Sequence, residues 1–353
     1  MEQITTMVPE TTIGLDLGDR FTHGCRLDAN AGVQARFRFP TTKGGLAKAF
    51  ATQPPARVVL EVGTHSPWVS RWLERGGHEV IVANPREVAS IARSTRKNDP
   101  EDAEQLARLG RSDPKLLHPI RHRGERVQRD RAQLAVRRSL VAIRASLVTQ
   151  ARGLGKALGV RLPKSTTAAF VQRVHEAGLE DLFPGMGSLL QTIQGLCEEI
   201  RVLDRQLAAV SKEQYPETAL LRRVPGVGPI TALTYALTIE DPARFAKSRR
   251  VGSYLGLRPK QRDSGQRVRE LSISKEGDRE LRMLLVECAQ WILARGPDSA
   301  LKRFGHRLAA RGGRAAKKKA VVATARKLAV LLHHLWQTDG VYQPFPTGQA
   351  ADA

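Results

Sequence analysis

Over the first third of the chain, short apolar runs alternate with amphipathic stretches. Residues 13–16 form an apolar run that ends in an acid, and Gly18-Asp19-Arg20 reads as a turn. Residues 22–28 and 33–39 predict two more strands joined through Asn30-Ala31-Gly32. Residues 44–52 predict a helix and 57–62 (RVVLEV) a buried strand. A helix over 66–75 follows, with Ser66 as its cap and Pro67 in its first position. Residues 78–83 (HEVIVA) predict another strand, and a helix after Asn84-Pro85 is expected to end before Asn98. Strands alternating with helices place a mixed α/β unit with a central sheet over 11–120.

The period then changes. In 121–212, Leu140, Leu147 and Leu154 lie seven apart, with Val136 and Ile143 between them. Leu189, Ile193, Leu196, Ile200, Leu203, Leu207 and Val210 alternate spacings of four and three, the seam of a coiled coil or helical hairpin. Such a seam serves either a bundle core within one chain or a dimer arm. Leu162-Pro163 and Phe183-Pro184-Gly185 mark breaks between the helices. Residues 213–300 predict a compact, largely helical unit. Residues 301–340 form a basic helical segment, and 341–353 a loose tail. From 301 to 338 there are ten Lys/Arg and no acid, Lys317, Lys318 and Lys319 among them.

Composition narrows the function. The 353 residues carry 57 Lys+Arg against 35 Asp+Glu, a net charge of +22. That charge makes a nucleic acid the expected partner, ahead of an anionic membrane. The apolar runs are strand-sized, so no membrane span is expected. The first residues, MEQITTMVPETT, have no basic or apolar signal region, and the expected location is the cytoplasm, on the nucleoid when bound to DNA. Cys25, Cys197 and Cys288 are scattered and form no Cys-x-x-Cys, which argues against a zinc ribbon or a disulfide framework. GLGKA at 153–157 lacks the Ser/Thr of a phosphate-binding loop. Aromatic residues, at 5%, are too few for a base-stacking platform.

Four acids stand out in the first unit. Asp16 and Glu61 each fall at or near the end of a predicted strand, and Asp99 and Asp102 are three apart, on one face of a helix beginning near Asp99-Pro100. Converging carboxylates call for a counter-charge, which two Mg2+ ions would supply together with coupling to phosphate. Helix caps and dipole partners are the competing reading of the same residues. Asp19 and Glu101 read as solvated neighbours.

In the C-terminal half, LLRRVPGVGPITALTYAL (220–237) reads as helix, tight hairpin, helix. Gly226 and Gly228, with Arg222 and Arg223 beside them, suit a helix–hairpin–helix grip on a phosphate backbone, and an ordinary Gly-Pro helix connection is the alternative. Ser264-Gly265 is expected in a polar loop surrounded by Lys260, Arg262, Arg267, Arg269, Lys275 and Arg279. Ser264 is a phosphate contact or cap on the bland reading and a nucleophile on the sharp one. Ser272 and Ser274 read as cap or turn residues before a helix over 275–288.

Together, IGLDLG (13–18), LEVGTHSPWVSRWLERGGHEVIVANPREV (60–88), RKNDPEDAEQLARL (96–109), VPGVGPITAL (224–233) and GLRPKQRDSGQ…ISKEGDRELRMLL (256–285) resemble one family in its order. That family is the DEDD-type transposases of bacterial insertion sequences, the bridge-RNA-guided recombinases, relatives of the Piv-type DNA invertases. The resemblance implies an N-terminal RuvC/RNase H-like α/β domain, a coiled-coil insertion and a transposase domain. It implies Asp16, Glu61, Asp99 and Asp102 as metal ligands and Ser264 as the serine that becomes linked to DNA. It also implies double-stranded DNA and a structured guide RNA as partners, and a homo-oligomer, dimer or tetramer. In such a multimer the serine of one subunit completes the acidic site of another, with the seam at 189–210 as the expected contact. One departure is that Pro100 and Glu101 stand between the two acids where the family carries basic residues.

The function expected is therefore Mg-dependent strand cleavage and exchange through a serine–DNA intermediate. The alternative is a structure-specific nuclease of the Holliday-junction type, with water as nucleophile. A non-catalytic nucleic-acid-binding protein would make the four acids structural.

Overall fold

The computed structural model describes residues 10–84, 99–264 and 267–345. The chain divides into two compact units, 1–123 and 124–353. The helix expected between Asn84 and Asn98 lies outside the described residues.

The first unit is built on a five-stranded sheet of order β3-β2-β1-β4-β5. Its strands are β1 (Thr12–Leu17), β2 (Phe21–Leu27), β3 (Val33–Pro40), β4 (Arg57–Glu61) and β5 (Glu79–Ala83). The first three form an antiparallel meander, and β4 and β5 run parallel to β1. Parallel neighbours need crossovers. Helices α1 (Lys43–Phe50) and α2 (Ser66–Arg75) occupy the two connections, from β3 to β4 and from β4 to β5. Strand alternation sends Ile13, Leu15, Val58 and Leu60 to one face, where Leu46 and Phe50 of α1 and Val69 and Leu73 of α2 close the core. The opposite face takes α3 (Asp99–Ser112). Its Leu106 packs with Val59, Ile81 and Ala83, and its Ala103 and Ala107 pack with Cys25 and Leu27. This mixed sheet is consistent with a RuvC-like fold.

Two local expectations are corrected, the cap of α2 and the place of Pro67, which is the second helical residue and not the first. His65, not Ser66, occupies the N-cap of α2. Ser66 is the first helical residue, and its hydroxyl donates to the Gly63 carbonyl at 2.8 Å and accepts from the Gly63 amide at 3.0 Å.

The second unit begins with α4 (Glu125–Ala157), a short α5 (Phe170–Glu176) and α6 (Met186–Gln214). Gln133 bonds Gln206, Arg137 bonds Asp204 and Arg144 bonds Cys197. Rising numbers on α4 meet falling numbers on α6, so the two helices are antiparallel. The side of α6 turned inward is Leu190, Ile193, Cys197, Ile200, Asp204, Leu207 and Ser211, of which all but Asp204 are buried. The seam read at 189–210 shares only Ile193, Ile200 and Leu207 with it; Leu189, Leu196, Leu203 and Val210 are half-buried at its edge. Polar residues at three inward positions displaced the reading by one residue at every other step. On α4 the inward stripe is Leu134, Arg137, Val141, Arg144, Val148, Ala151 and Gly155, whereas Val136, Ile143 and Leu154 are 53%, 49% and 43% exposed. Of the heptads at 136–154, Val136, Ile143 and Leu154 therefore lie on the outer side of α4, whereas Leu147 packs into the core with Ile193 and Cys197 and Leu140 is half-buried.

The rest of this unit shares one core. It contains α7 (Glu217–Leu221), α8 (Pro229–Ile239), α9 (Arg249–Tyr254), the hairpin β6 (Pro259–Ser264) and β7 (Arg267–Ile273), and then α10 (Arg279–Arg295), α11 (Ala300–Ala309) and α12 (Gly313–Thr338). Leu221, Tyr235, Leu281, Leu285 and Ile292 pack with Ala325, Leu328, Leu332 and Leu335 of the basic C-terminal helix. The Tyr235 hydroxyl donates to the Ala329 carbonyl at 2.7 Å inside it. Three predictions change here. Ser264 ends a strand of a two-stranded antiparallel hairpin and is not in a loop; Ser264 pairs with Arg267 and Gly265 lies outside the described residues. The following helix starts at Arg279 because Asp278 caps it, accepting from the Leu281 amide at 2.8 Å. Ser272 is a strand residue, while Ser274 does hold a turn by accepting from the Glu276 amide at 3.4 Å.

Candidate active site

The site is assembled at one end of the first sheet, on the face covered by α3. In the β1–β2 hairpin, Asp16 pairs with His23. Cross-strand partners project to the same face. The parallel β1–β4 register runs to Leu15 beside Leu60, and one further step brings Asp16 and Glu61 alongside each other. Asp16 alternates with Thr12 and Gly14, and Glu61 with Val59, so both point to the α3 side.

Small residues bring α3 down onto this face. A Cβ on Gly14 would overlap the carbonyl oxygen of Ala103, and one on Gly110 would overlap Val59. The helix meets the sheet through Ala103, Leu106 and Gly110, and one turn before Ala103 the same stripe reaches Asp99. The helix thus delivers its first residue to the end of β1.

The result is a cluster of Asp16, His23 and Asp99, whose ligand atoms all lie within 4.8 Å of one another. His23 Nδ1 is 3.5 Å from Asp99 Oδ2, with side chains 21% and 68% exposed respectively. Asp102 follows three residues on and is half-buried; Glu61 is exposed at the end of β4. Both belong to the same end of the sheet, but neither joins the mutual 4.8 Å cluster among the described residues. The four-acid convergence expected from sequence is thus met within that distance by two acids and a histidine. His23 was missed. The observed register pairs residues whose numbers sum to 39, a turn over 18–21, which sets 23 opposite 16, whereas the turn read at Gly18-Asp19-Arg20 is centred on 19 and would set Thr22 there.

The surroundings are polarised. Asp99, Glu101 and Asp102 fill the first turn of α3, where carboxylates complement the helix dipole. Glu104 is held between Arg36 and Arg108, whose hydrogen bonds lower its pKa. Burial, and after it Glu104, pushes the Cys25 thiol up. Glu101 is exposed, as is Asp19, whose carboxylate lies 3.6 Å from His65 Nε2. The other ring nitrogen of His65 accepts from Trp68 Nε1 at 3.2 Å.

The donor set fits a hard divalent ion. Carboxylates are the usual ligands of Mg2+, and a histidine beside a carboxylate is the usual means of orienting a ligand. The same histidine could serve as a nitrogen ligand to Mn2+.

The second unit holds the other residues singled out by sequence. Arg222 and Arg223 are exposed in the turn between α7 and α8. Gly226, at φ 92°, lies against α10, where a Cβ would sit 2.8 Å from Trp291. Gly228 has open space beside its Cα. Burial raises the Cys288 pKa, and the Thr231 hydroxyl and the Gly228 backbone oppose it. The seven-residue connection thus packs Gly226 against α10 and leaves Gly228, Arg222 and Arg223 open, and α7 is only five residues long. Lys260 and Arg262 lie on β6 and Arg267 on β7. Lys275 is in the following turn at φ 59°. Lys317, Lys318 and Lys319 are exposed on the first turns of α12. Among the described residues no helix is long and apolar enough to cross a membrane.

Two transposase family profiles match the chain. The DEDD transposase domain of IS110-type elements covers residues 13–156, and the IS116/IS110/IS902 family transposase covers residues 218–306. The transposase for insertion sequence element IS1328 of Yersinia enterocolitica is 31% identical over 81% of this chain and 84% of its own length. A probable family 20 transposase of Pseudomonas aeruginosa is 27% identical over 80% and 83%. The pilin gene-inverting protein of Moraxella bovis is 24% identical over 91% and 94%. With the carboxylate end of the sheet inside one matched segment and the β6–β7 hairpin inside the other, the chain belongs to the IS110/IS116 family of transposases and is a DNA transposase/recombinase.

Proposed function

We propose that this transposase cuts and rejoins DNA through a covalent serine–DNA intermediate, using Asp16, Glu61, Asp99 and Asp102 to hold two Mg2+ ions and Ser264 as nucleophile. The observation that carries the acidic half is the placement of Asp99 by α3 within ligand distance of Asp16. When bound, the ions offset charge on the scissile phosphate and favour the ionised serine. His23 orients the Asp99 carboxylate. The Ser264 hydroxyl gives up its proton as its oxygen bonds to phosphorus, and one DNA oxygen leaves, taking up a proton to become a free hydroxyl. A hydroxyl of the recombining strand then attacks the same phosphorus, and the serine oxygen leaves and regains a proton. Each step exchanges one ester for another, so no nucleotide triphosphate is required.

Arg222, Arg223, Gly226, Gly228, Lys260, Arg262, Arg267, Lys275, Lys317, Lys318 and Lys319 make the backbone contacts. A net charge of +22 supports double-stranded DNA and a structured guide RNA as ligands. A second copy docks on the exposed stripe Val136, Ile143 and Leu154, in place of the contact first read at 189–210, whose inward residues are buried within the chain's own helix pair. In that multimer the serine of one subunit serves the acids of another.

The test is cleavage of DNA carrying the element's ends, with and without Mg2+, by the protein purified with its native flanking transcript. Cleavage that needs Mg2+ and is lost in Asp16→Asn and Asp99→Asn supports the metal site. Sequencing the bound RNA tests the guide: one structured RNA from the flank is expected, and random cellular RNA contradicts it. Free DNA ends with no attached protein at any time would favour the water-using nuclease.

A further inference from the structure

The helix pair of the second unit holds a basic hollow that the reaction above does not use. It is a cavity of about 720 Å3 where α4 ends and the chain turns back, lined by Arg152, Lys156, Arg161, Lys164, Leu162 and Ser165. Its construction is local. Gly159 takes φ 77°, and the Val160 amide returns to the Gly155 carbonyl at 2.9 Å. Gly155 leaves room for Val160 and Leu162 to fold against the helix. One guanidinium nitrogen of Arg152 then ties the loop, donating to the Pro163 carbonyl at 3.4 Å, the Ser165 carbonyl at 3.1 Å and the Ser165 hydroxyl at 3.2 Å. The same guanidinium lies 5.3 Å from the centre of the buried Phe170 ring.

The charge around this hollow is one-sided. From Asp130 to Glu176 the intervening sequence has nine Lys/Arg and no acid. Lys156, Arg161 and Lys164 are exposed, and among the described residues none of them is in an ion pair. No carboxylate lines the hollow, and four cations gathered there repel one another, a cost that a bound anion removes. The negative end of the α4 dipole, about half a charge, offsets only a fraction of them. Leu162 provides an apolar floor that suits a sugar face more than a free inorganic ion.

We infer that this hollow is a binding site for the phosphate backbone of a nucleic acid, with Lys156, Arg161 and Lys164 meeting phosphates and Arg152 holding the loop that presents them. It rests on the nucleic-acid reading of the protein but not on the serine or the metal site. The helix pair, whose sequence suits either a bundle core or a dimer arm, then also carries substrate.

The test compares Lys156→Glu/Arg161→Glu/Lys164→Glu with a control, Arg201→Glu/Arg205→Glu/Lys212→Glu, which alters exposed α6 cations and changes the net charge equally. Binding of a random-sequence DNA duplex and of an RNA hairpin with the same number of phosphates is measured against salt, after thermal melting confirms that all three proteins fold. Losing three phosphate contacts reduces the slope of log K against log salt by about 2–3. That reduction in the cavity variant alone supports the site, on the duplex if DNA fills it and on the hairpin if RNA does. Equal reductions in both variants, or none in either, overturn it while leaving the nucleic-acid reading intact. Salt-insensitive binding by the unaltered protein overturns both.

Discussion

Gly14 of β1 and Ala103 of α3 are in backbone contact: there is no room for a Cβ between the strand and the helix at that point. This contact sets the height of α3 above the sheet and so the reach of Asp99 toward Asp16. Gly14→Val should push the helix off the sheet, costing about 1–3 kcal/mol through overpacking. The variant is expected to melt earlier and to lose Mg2+-dependent cleavage. A Gly14→Val protein with unaltered cleavage would separate the acidic cluster from the chemistry.

Metal binding can be read without activity. An ion that binds only the folded state at a hundred times its Kd adds about 2.7 kcal/mol of stability. Mg2+ or Mn2+ should therefore raise the melting temperature of the unaltered protein and leave that of Asp16→Asn unchanged. Asp99→Asn should likewise show no metal-induced shift, each variant being compared with itself without metal, since the charge lost from the first turn of α3 alters its stability by its own amount. His23→Ala is expected to weaken binding about 10–100-fold, as loss of a partner to a ligand does. Equal metal-induced shifts in all four proteins would refute the site.

A different prediction concerns pH and the second unit. His333 is fully buried; Nε2 donates to the Pro242 carbonyl and Nδ1 accepts from the Ser248 hydroxyl, both at 2.9 Å. Burial lowers its pKa below the ordinary value of 6.5. As pH falls through about 6.5 the unfolded chain takes up a proton that the folded chain resists, so stability is full above that pH and declines below it. Urea unfolding should show the advantage of the unaltered protein over His333→Asn narrowing on acidification. An advantage that stays constant across that range would contradict the assignment.

The exposed stripe on α4 makes its own prediction. Val136→Glu/Ile143→Glu puts two charges at positions that are 53% and 49% exposed, so folding should be little impaired. Sedimentation should show a smaller assembly than the unaltered protein forms. An unchanged mass would place the contact between copies elsewhere.

How far the sequence could be read follows from which residues carry period. The strands and helices of the first unit were legible because Ile13, Leu15, Val58 and Leu60 alternate cleanly and Pro67 marks a helix start. The i, i+3 spacing of Asp99 and Asp102 put them on one helix, but no spacing could show that Gly14 and Gly110 let that helix close on the sheet. In the helix pair, period misled. Cys197, Asp204 and Ser211 occupy inward positions of α6, with Asp204 neutralised by Arg137 across the pair, so the apolar count favoured the wrong edge. The β6–β7 hairpin carries a weak signal because β6 (PKQRDS) has no apolar alternation and in β7 (RVRELSI) the alternation is broken at Arg269-Glu270, between Val268 and Leu271. The hollow at Arg152 depends on a loop returning to its own helix, which sequence shows only as a Gly and a Pro.

The central claim is that Ser264 forms the bond to DNA. The direct measurement is mass spectrometry of the adduct after the protein, with its RNA and Mg2+, acts on DNA bearing the element's ends and is quenched with denaturant. A nucleotide remnant on Ser264, absent in both Ser264→Ala and Asp16→Ala while Ser264→Ala still binds DNA and RNA, is the result predicted. An adduct that persists in Ser264→Ala, or maps to another residue, would contradict it.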